Sequence, residues 1–184
     1  MFRYSVQAKY SKTVFEWTEL ERVMNIHEYQ GKELLRANGV PVLDGVHCKT
    51  VEEALDAYDL LNSKVVAVKS QIHAGGRGKG TLYNPKTRDH VMDGGVKIAF
   101  SRDEVKSYSE NILGNILVTI QTGDEGKLVS NLYIESGCDI EHEFYLALLV
   151  DRENKAVMIM ASTEGGVNIE AVSYTHLRAH ETHE

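Results

Sequence analysis

Apolar side chains recur every three or four positions in three segments of the chain, the spacing typical of amphipathic helices. Each segment opens with Asn, Thr or Ser three positions before a Glu, a pattern typical of helix amino termini. The three pairs are Asn25–Glu28, Thr50–Glu53 and Ser101–Glu104. Gly39 and Pro41 follow the first segment and predict its end, and we expect the third to end near Leu113.

Short runs rich in β-branched residues predict strands between and after these helices. We expect strands at residues 64–73, 96–100, 116–121, 128–135, 143–150 and 155–161. Residues 81–94 contain Asn-Pro and Asp-Gly-Gly turn signals and predict a loop or surface hairpin. Paired strands with helices between them indicate an α+β or α/β domain.

Composition excludes several classes of protein. The chain is 42% hydrophobic and 26% charged, close to the average for a soluble globular protein. Its longest apolar run, Phe144 to Val150, is far too short to cross a bilayer, so we expect no membrane association. A formal charge of -7 gives no reason to expect a nucleic-acid partner. Two cysteines, Cys48 and Cys138, do not make a disulfide scaffold, which favours a reducing, cytoplasmic setting.

A glycine-rich segment, Gly75-Gly-Arg-Gly-Lys-Gly80, is the strongest candidate for chemistry. Glycines let backbone N–H groups approach a phosphate, and Arg77 and Lys79 add positive charge. The segment is neither a Walker A loop nor a Rossmann fingerprint, because its spacing differs from both. A mobile hairpin tip is the structural alternative. Lys69, near the end of a buried strand just before the glycines, needs an anion or a route to solvent, which favours ligand contact.

Two further pairings are open to a functional or a structural interpretation. Glu135 and Glu143, at the ends of predicted strands, could accept hydrogen bonds from a base or ribose, or could lie on a solvated edge. The glycines of Thr163-Glu-Gly-Gly166 could form only a turn or could approach a ligand. The histidines near the carboxyl end lack zinc-site spacing.

Three segments in the right order resemble one family. They are Met24-Asn-Ile-His-Glu-Tyr-Gln30, Lys69 with Gln71-Ile-His-Ala-Gly-Gly-Arg-Gly-Lys79, and Ala161-Ser-Thr-Glu-Gly-Gly166. They resemble the amino-terminal end of the ATP-grasp domain in the β subunit of succinyl-CoA synthetase (succinate–CoA ligase). The resemblance implies an α+β fold of the ATP-grasp type, present here only in its amino-terminal part. It implies a ligase that interconverts succinate, CoA and ATP or GTP with succinyl-CoA, nucleoside diphosphate and phosphate.

The resemblance also assigns roles to residues and partners. It implies that the nucleotide contacts Lys69, that Gly76, Arg77 and Gly78 cover its phosphates, and that Glu135, Cys138 and Glu143 line its site. No residue of this chain is expected to be catalytic, because the family's phosphohistidine belongs to a partner α subunit. The family's Mg²⁺ ligands, an Asn and an Asp, come later in the ATP-grasp domain, so no metal ligand is expected here.

The same resemblance divides the chain into three parts. We expect residues 24–172 to form the ATP-grasp part, residues 1–23 to be a disordered extension, and residues 173–184 to be an artefactual tail that resembles a translated sequencing adapter. Without the rest of the domain, we expect the 184-residue chain to lack ligase activity. Two alternatives are a malate–CoA ligase β subunit, which Thr163-Glu164 disfavours, and a nucleotide-binding module without catalysis.

Overall fold

The computed structural model describes residues 25–163 and 165. These residues form three helices, ten strands and one 3-10 turn. The helices are α1 (Glu28–Ala37), α2 (Val51–Leu61) and α3 (Arg102–Ile112), and the 3-10 turn is Arg77–Lys79. The strands are β1 (Gly45–Cys48), β2 (Val66–Ser70), β3 (Thr81–Tyr83), β4 (His90–Asp93), β5 (Val96–Ala99), β6 (Ile116–Val118), β7 (Lys127–Leu128), β8 (Leu132–Ser136), β9 (Tyr145–Asp151) and β10 (Ala156–Ser162).

The strands form two four-stranded sheets and a separate hairpin. The first sheet has the order β1-β8-β2-β5, the second has the order β4-β3-β6-β7, and β9 pairs with β10. Every pairing is antiparallel. Antiparallel sheets combined with helices confirm the α+β class and exclude the α/β alternative for the described residues.

The helix amino termini follow the capping rules at two of the three predicted places. The Thr50 hydroxyl accepts a hydrogen bond from the Glu53 N–H at 3.1 Å, and the Ser101 hydroxyl accepts one from the Glu104 N–H at 3.2 Å. The prediction for the first helix was wrong by two residues. His27 is its N-cap, and the His27 N–H donates to the Gln30 side chain at 2.9 Å, so Gln30 takes the role expected of Glu28.

Strand boundaries differ from the predictions where turns interrupt an apolar run. The predicted strand 128–135 is two strands, β7 and β8, in two different sheets. The run 81–94 is a hairpin made by β3 and β4, which confirms the surface hairpin. β1 was not predicted, because its four residues follow a Pro- and Gly-containing turn and give too short a pattern.

The core lies between the first sheet and helices α2 and α3, and it also includes Leu82 and Leu117 of the second sheet. β2 and β8 are its most buried strands, and the helices contribute Ala54, Leu55, Ala57, Val105 and Ile112. In contrast, α1 buries no side chain. None of the helices within residues 25–163 is long and apolar enough to cross a membrane.

Candidate functional site

Lys69 and Glu135 lie on one face of the first sheet because of the register of β2 and β8. Lys69 is opposite Tyr133, and Ala67 is opposite Glu135. Residues two positions apart on a strand share a face, so the Lys69 and Glu135 side chains meet diagonally. The Lys69 ammonium donates to Glu135 Oε2, and Glu135 is 2% exposed. A buried carboxylate is therefore paired with the lysine predicted as a ligand contact.

Lys69 also reaches the first turn of α1. Its Nζ lies 3.0 Å from Glu28 Oε1. Burial lowers the pKa of Lys69, but the hydrogen bonds and charges of Glu135 and Glu28 outweigh this effect and raise the pKa above its ordinary value. Lys69 is consequently a fixed cation at neutral pH.

Arg77 approaches the same carboxylate from the glycine-rich segment. Gly76, at φ +73°, supplies the left-handed conformation that precedes the 3-10 turn. The turn directs the Arg77 guanidinium so that Nη2 lies 2.6 Å from Glu28 Oε2, while Nη1 donates to the Ser70 carbonyl. Lys69 and Arg77, singled out separately from the sequence, share one counter-ion.

Hydrogen bonds to a side chain and to neighbouring backbone groups hold the glycine-rich segment on both sides. The Gly75 N–H donates to Gln121 Oε1 at 2.6 Å, the Gly95 N–H donates to the Arg77 carbonyl at 2.8 Å, and the Gly94 N–H donates to the Gly80 carbonyl at 2.7 Å. A Cβ on Gly80 would lie 2.6 Å from the Val118 carbonyl oxygen. These contacts favour an anchored loop over the mobile hairpin tip.

Gly78 differs from its neighbours in the same segment. Its φ lies outside the left-handed region, and a Cβ there would meet no described atom within 4 Å. Neither backbone strain nor packing among the described residues requires glycine at this position. Because Gly78 has no side chain and free space beside it, a ligand bound to the two cations can approach its backbone closely.

Glu28 and Lys32 are members of the site that the sequence analysis missed. They are four residues apart on α1, with Lys32 Nζ 3.4 Å from Glu28 Oε1, and Lys32 also forms an ion pair with Glu135. The spacing of an acid four residues before a base was visible in the sequence. Nothing in that spacing indicated that the pair lies against β2 and β8.

The five side chains form a charged cluster with three cations and two carboxylates. Its members are Glu28, Lys32, Lys69, Arg77 and Glu135. Burial raises the pKa of Glu28, but the Arg77 hydrogen bond and the charges of Lys69 and Arg77 hold it at about 2. Both carboxylates are fully engaged by cations, and the cluster keeps a formal excess of one positive charge. An anion is therefore the complementary ligand.

A row of rings lies next to the charged cluster. His27 stacks on His73 with centroids 3.9 Å apart and on Tyr29 at 5.8 Å, and Tyr29 stacks on His47 at 4.0 Å. Burial, followed by the neighbouring His73, His47 and Arg77, lowers the pKa of His27. The ring row and the charged cluster together attach α1 to the first sheet.

Cys138 and Glu143 are not joined to the charged cluster by any hydrogen bond or ion pair within residues 25–163 and 165. Cys138 is an exposed free thiol. Glu143 is exposed, and its backbone carbonyl accepts from the Gly165 N–H at 3.1 Å. Their role in a nucleotide site stays a prediction. Glu164, Gly166 and the segments 1–24 and 167–184 lie outside the described residues.

The described residues do not fit a magnesium site. No group of three or more His, Cys, Asp or Glu side chains in this part of the chain could hold a metal ion. The carboxylates of the charged cluster are occupied by Lys and Arg. That the Mg²⁺ ligands lie outside this chain stays a prediction.

Comparison with known protein families decides the fold family. The family model described as the ATP-grasp domain matches residues 25–179. The chain belongs to the ATP-grasp family. Its ATP-grasp sequence is 55% identical over 150 residues to the succinate–CoA ligase [ADP-forming] subunit beta of Ralstonia nicotianae. It is also 55% identical over 152 residues to the subunit of the same name from Nitrobacter hamburgensis.

These relatives extend well beyond the part that this ATP-grasp chain matches. The two alignments cover 82% and 83% of this chain but 35% and 38% of the relatives. The chain thus spans about a third of the length of the curated relatives it matches. The resemblance to succinate–CoA ligase β subunits that the motifs indicated is confirmed.

A solved structure supports the fold independently of close sequence identity. The match is to the dinucleotide-forming acetyl-coenzyme A synthetase 1 of Ca. Korarchaeum cryptofilum, solved with coenzyme A, Ca-AMPCP and HgCl+. Its TM-score is 0.50 at 18% identity, covering 74% of this chain and 52% of that one. At this identity the likeness concerns the fold of the ATP-grasp chain alone.

Proposed function

We propose that this chain is the phosphate-binding part of the nucleotide site in a succinate–CoA ligase β subunit. The whole ligase would interconvert succinate, CoA and a nucleoside triphosphate with succinyl-CoA, the diphosphate and phosphate. The names of the relatives favour ATP over GTP. A partner α subunit would carry the phosphohistidine, and Mg²⁺ would be held by residues outside this chain.

The observation that carries the proposal is the meeting of Lys69 and Arg77 beside an open glycine. Lys69 has three N–H donors and Arg77 has five, and each uses two within the described structure. Donors therefore remain on both cations for phosphate oxygens. With the Gly78 backbone exposed nearby, the arrangement can bind and orient a polyphosphate, which is the main protein contribution to phosphoryl transfer.

The chemistry assigned to these residues is positioning and charge neutralisation. Lys69 and Arg77 act as electrostatic partners of the phosphates, so the role proposed for the charged cluster in phosphoryl transfer does not include that of a base. We propose no catalytic residue in this chain. We also propose that the 184-residue chain has no ligase turnover; CoA-dependent ADP formation when an α subunit is added would contradict this.

Nucleotide titration of the 184-residue chain, followed by amide NMR spectra, tests the binding role. ADP should perturb the amides of residues 75–80, whereas adenosine should leave them nearly unchanged. Lys69→Ala and Arg77→Ala should each weaken ADP binding by roughly 1.5–3 kcal/mol, typical of charge-assisted hydrogen bonds. Parallel titrations with GDP test the preference for adenine.

Two further variants separate loss of binding from loss of fold. Gly78→Ala adds a methyl group in open space, so it should weaken ADP binding without lowering the free energy of unfolding. Lys106→Ala removes an exposed cation on α3 and should change neither. Absence of ADP binding by the unmodified chain, or equal ADP affinity in all variants, would overturn the proposed function.

A further inference from the structure

Glu28 is the carboxylate that joins the two cations of the proposed phosphate site. Its Oε1 lies 3.0 Å from Lys69 Nζ and its Oε2 lies 2.6 Å from Arg77 Nη2. Within the described part of the chain, no other carboxylate contacts both. Lys69 is on β2 and Arg77 is on the 3-10 turn, so Glu28 bridges two separate elements.

The bridge is itself anchored on several sides. Oε1 also lies 3.4 Å from Lys32 Nζ, and Oε2 accepts a hydrogen bond from Gln71 Nε2 at 3.4 Å. The Gln71 side chain accepts in turn from the Tyr29 N–H at 3.4 Å. Glu28 therefore has a fixed position relative to the sheet, although its helix buries no side chain.

We propose that Glu28 is a positioning residue that holds Lys69 and Arg77 at the spacing required to bind the phosphates of one nucleoside diphosphate or triphosphate. This inference rests on the proposed function. Long, flexible cations lose rotamer entropy when they bind a ligand, and a prior ion pair lowers that cost because the side chains are already ordered. Glu28 contributes this order without touching the nucleotide.

The competing possibility is that Glu28 occupies the anion's place and must leave when phosphate binds. Its removal would then strengthen binding. The geometry favours positioning, because Lys69 and Arg77 keep unused donors while bound to Glu28. Displacement would also break contacts to four groups at once, including Lys32 and Gln71.

Variants of Glu28 in the 184-residue chain distinguish the two possibilities. Glu28→Gln should weaken ADP binding about tenfold, equivalent to about 1.4 kcal/mol. Glu28→Asp, which keeps the charge, should lie between Glu28→Gln and the unmodified chain. Glu33→Gln, an exposed carboxylate on the same helix, should bind ADP normally.

Two readouts exclude a general structural effect. The weak affinity for adenosine should be unchanged in Glu28→Gln, because only phosphate contacts depend on the two cations. In a chain that already carries Arg77→Ala, Glu28→Gln should reduce the ADP affinity much less than it does in the unmodified chain. One of the two cations that Glu28 positions is then already absent. If Glu28→Gln fails to fold, Glu28→Asp decides the result by the same comparison.

The outcomes separate this inference from the proposed function. If Lys69→Ala and Arg77→Ala weaken ADP binding but Glu28→Gln leaves it unchanged, the positioning role is wrong and the phosphate site stands. Tighter ADP binding by Glu28→Gln would show displacement instead of positioning. If Lys69→Ala and Arg77→Ala also have no effect, the proposed function itself fails.

Discussion

The first sheet and the β9–β10 hairpin contain similar apolar residues but bury them very differently. The first four residues of β8 are all buried. In the hairpin, one face carries apolar side chains that are 63–75% exposed: Leu146, Leu148, Val150, Val157 and Ile159. Helices α2 and α3 cover the first sheet, and no described residue covers this hairpin face. Strand formation and burial are thus separate properties, and the second depends on a partner surface.

Matched leucine truncations test this difference most strongly. Leu132 in β8 is fully buried and Leu148 in β9 is 65% exposed. Leu132→Ala should lower the free energy of unfolding by about 2–5 kcal/mol, because it removes buried surface and leaves a cavity. Leu148→Ala should change it by less than about 0.5 kcal/mol. Urea unfolding of both variants checks this, and equal losses would show that the hairpin face is covered in solution.

Acidification should affect the sheet before the hairpin. The pKa of His27 lies below its ordinary value of 6.5 in the folded state, so the unfolded chain binds more protons and stability falls as pH decreases through that range. The pKa of Glu28 is about 2 in the folded chain, against an ordinary value of 4.5. The free energy of unfolding should therefore decrease again as the pH falls from 4.5 to about 2. Around the hairpin turn, a hydrogen bond from Asn154 lowers the pKa of Asp151 below 3.8.

Amide hydrogen exchange measures the two regions separately. Between pH 7 and pH 5, protection in β2 and β8, corrected for intrinsic exchange, should decrease while that of β9 and β10 stays constant. His27→Phe keeps a ring in the stack and should remove most of the change. An equal decrease in both regions would contradict the assignment to His27.

A turn substitution should give the smallest effect and should be confined to the hairpin. Lys155 adopts φ 53°, a left-handed conformation that costs a side-chain-bearing residue roughly 1 kcal/mol. Lys155→Gly should therefore increase protection in β9 and β10 by up to that amount and leave β2 and β8 unchanged. Arg152→Gly, which relieves no positive φ, should not increase protection. A similar gain from both variants would point to a cause other than the Lys155 backbone.

The sequence predicted those features that depend on neighbouring residues. The caps of α2 and α3 were correct because Thr50 and Ser101 bond within their own first turns. Lys69 and Arg77 were found because a buried lysine and a glycine-flanked arginine are unusual within a few residues. Glu28 was missed as a site residue because its partners are 41 and 49 positions away, and its helix-start spacing had suggested a different role.

Contacts between distant segments were harder to predict. Local patterns singled out Glu135 but left a solvated edge open, and the family resemblance predicted a place for it in the nucleotide site. The contact of Glu135 with Lys69 depends on the register of β2 and β8, which no short segment encodes. Neither source indicated Lys32, whose contact with Glu135 depends on the packing of α1 against the sheet.

The placement of β8 between β1 and β2 also constrains when the charged cluster can form during synthesis. β1 and β2 are not hydrogen-bonded to each other, and both pair with β8. Lys69 emerges from the ribosome 66 residues before its partner Glu135. Until then Lys69 can pair with Val96 of β5 and approach α1, but Glu135 and the strand that joins β1 to β2 are still missing. Nascent chains stopped before β8 should therefore expose the edges of β1 and β2 to chaperones, whereas chains that extend past Ser136 can close the sheet in one step.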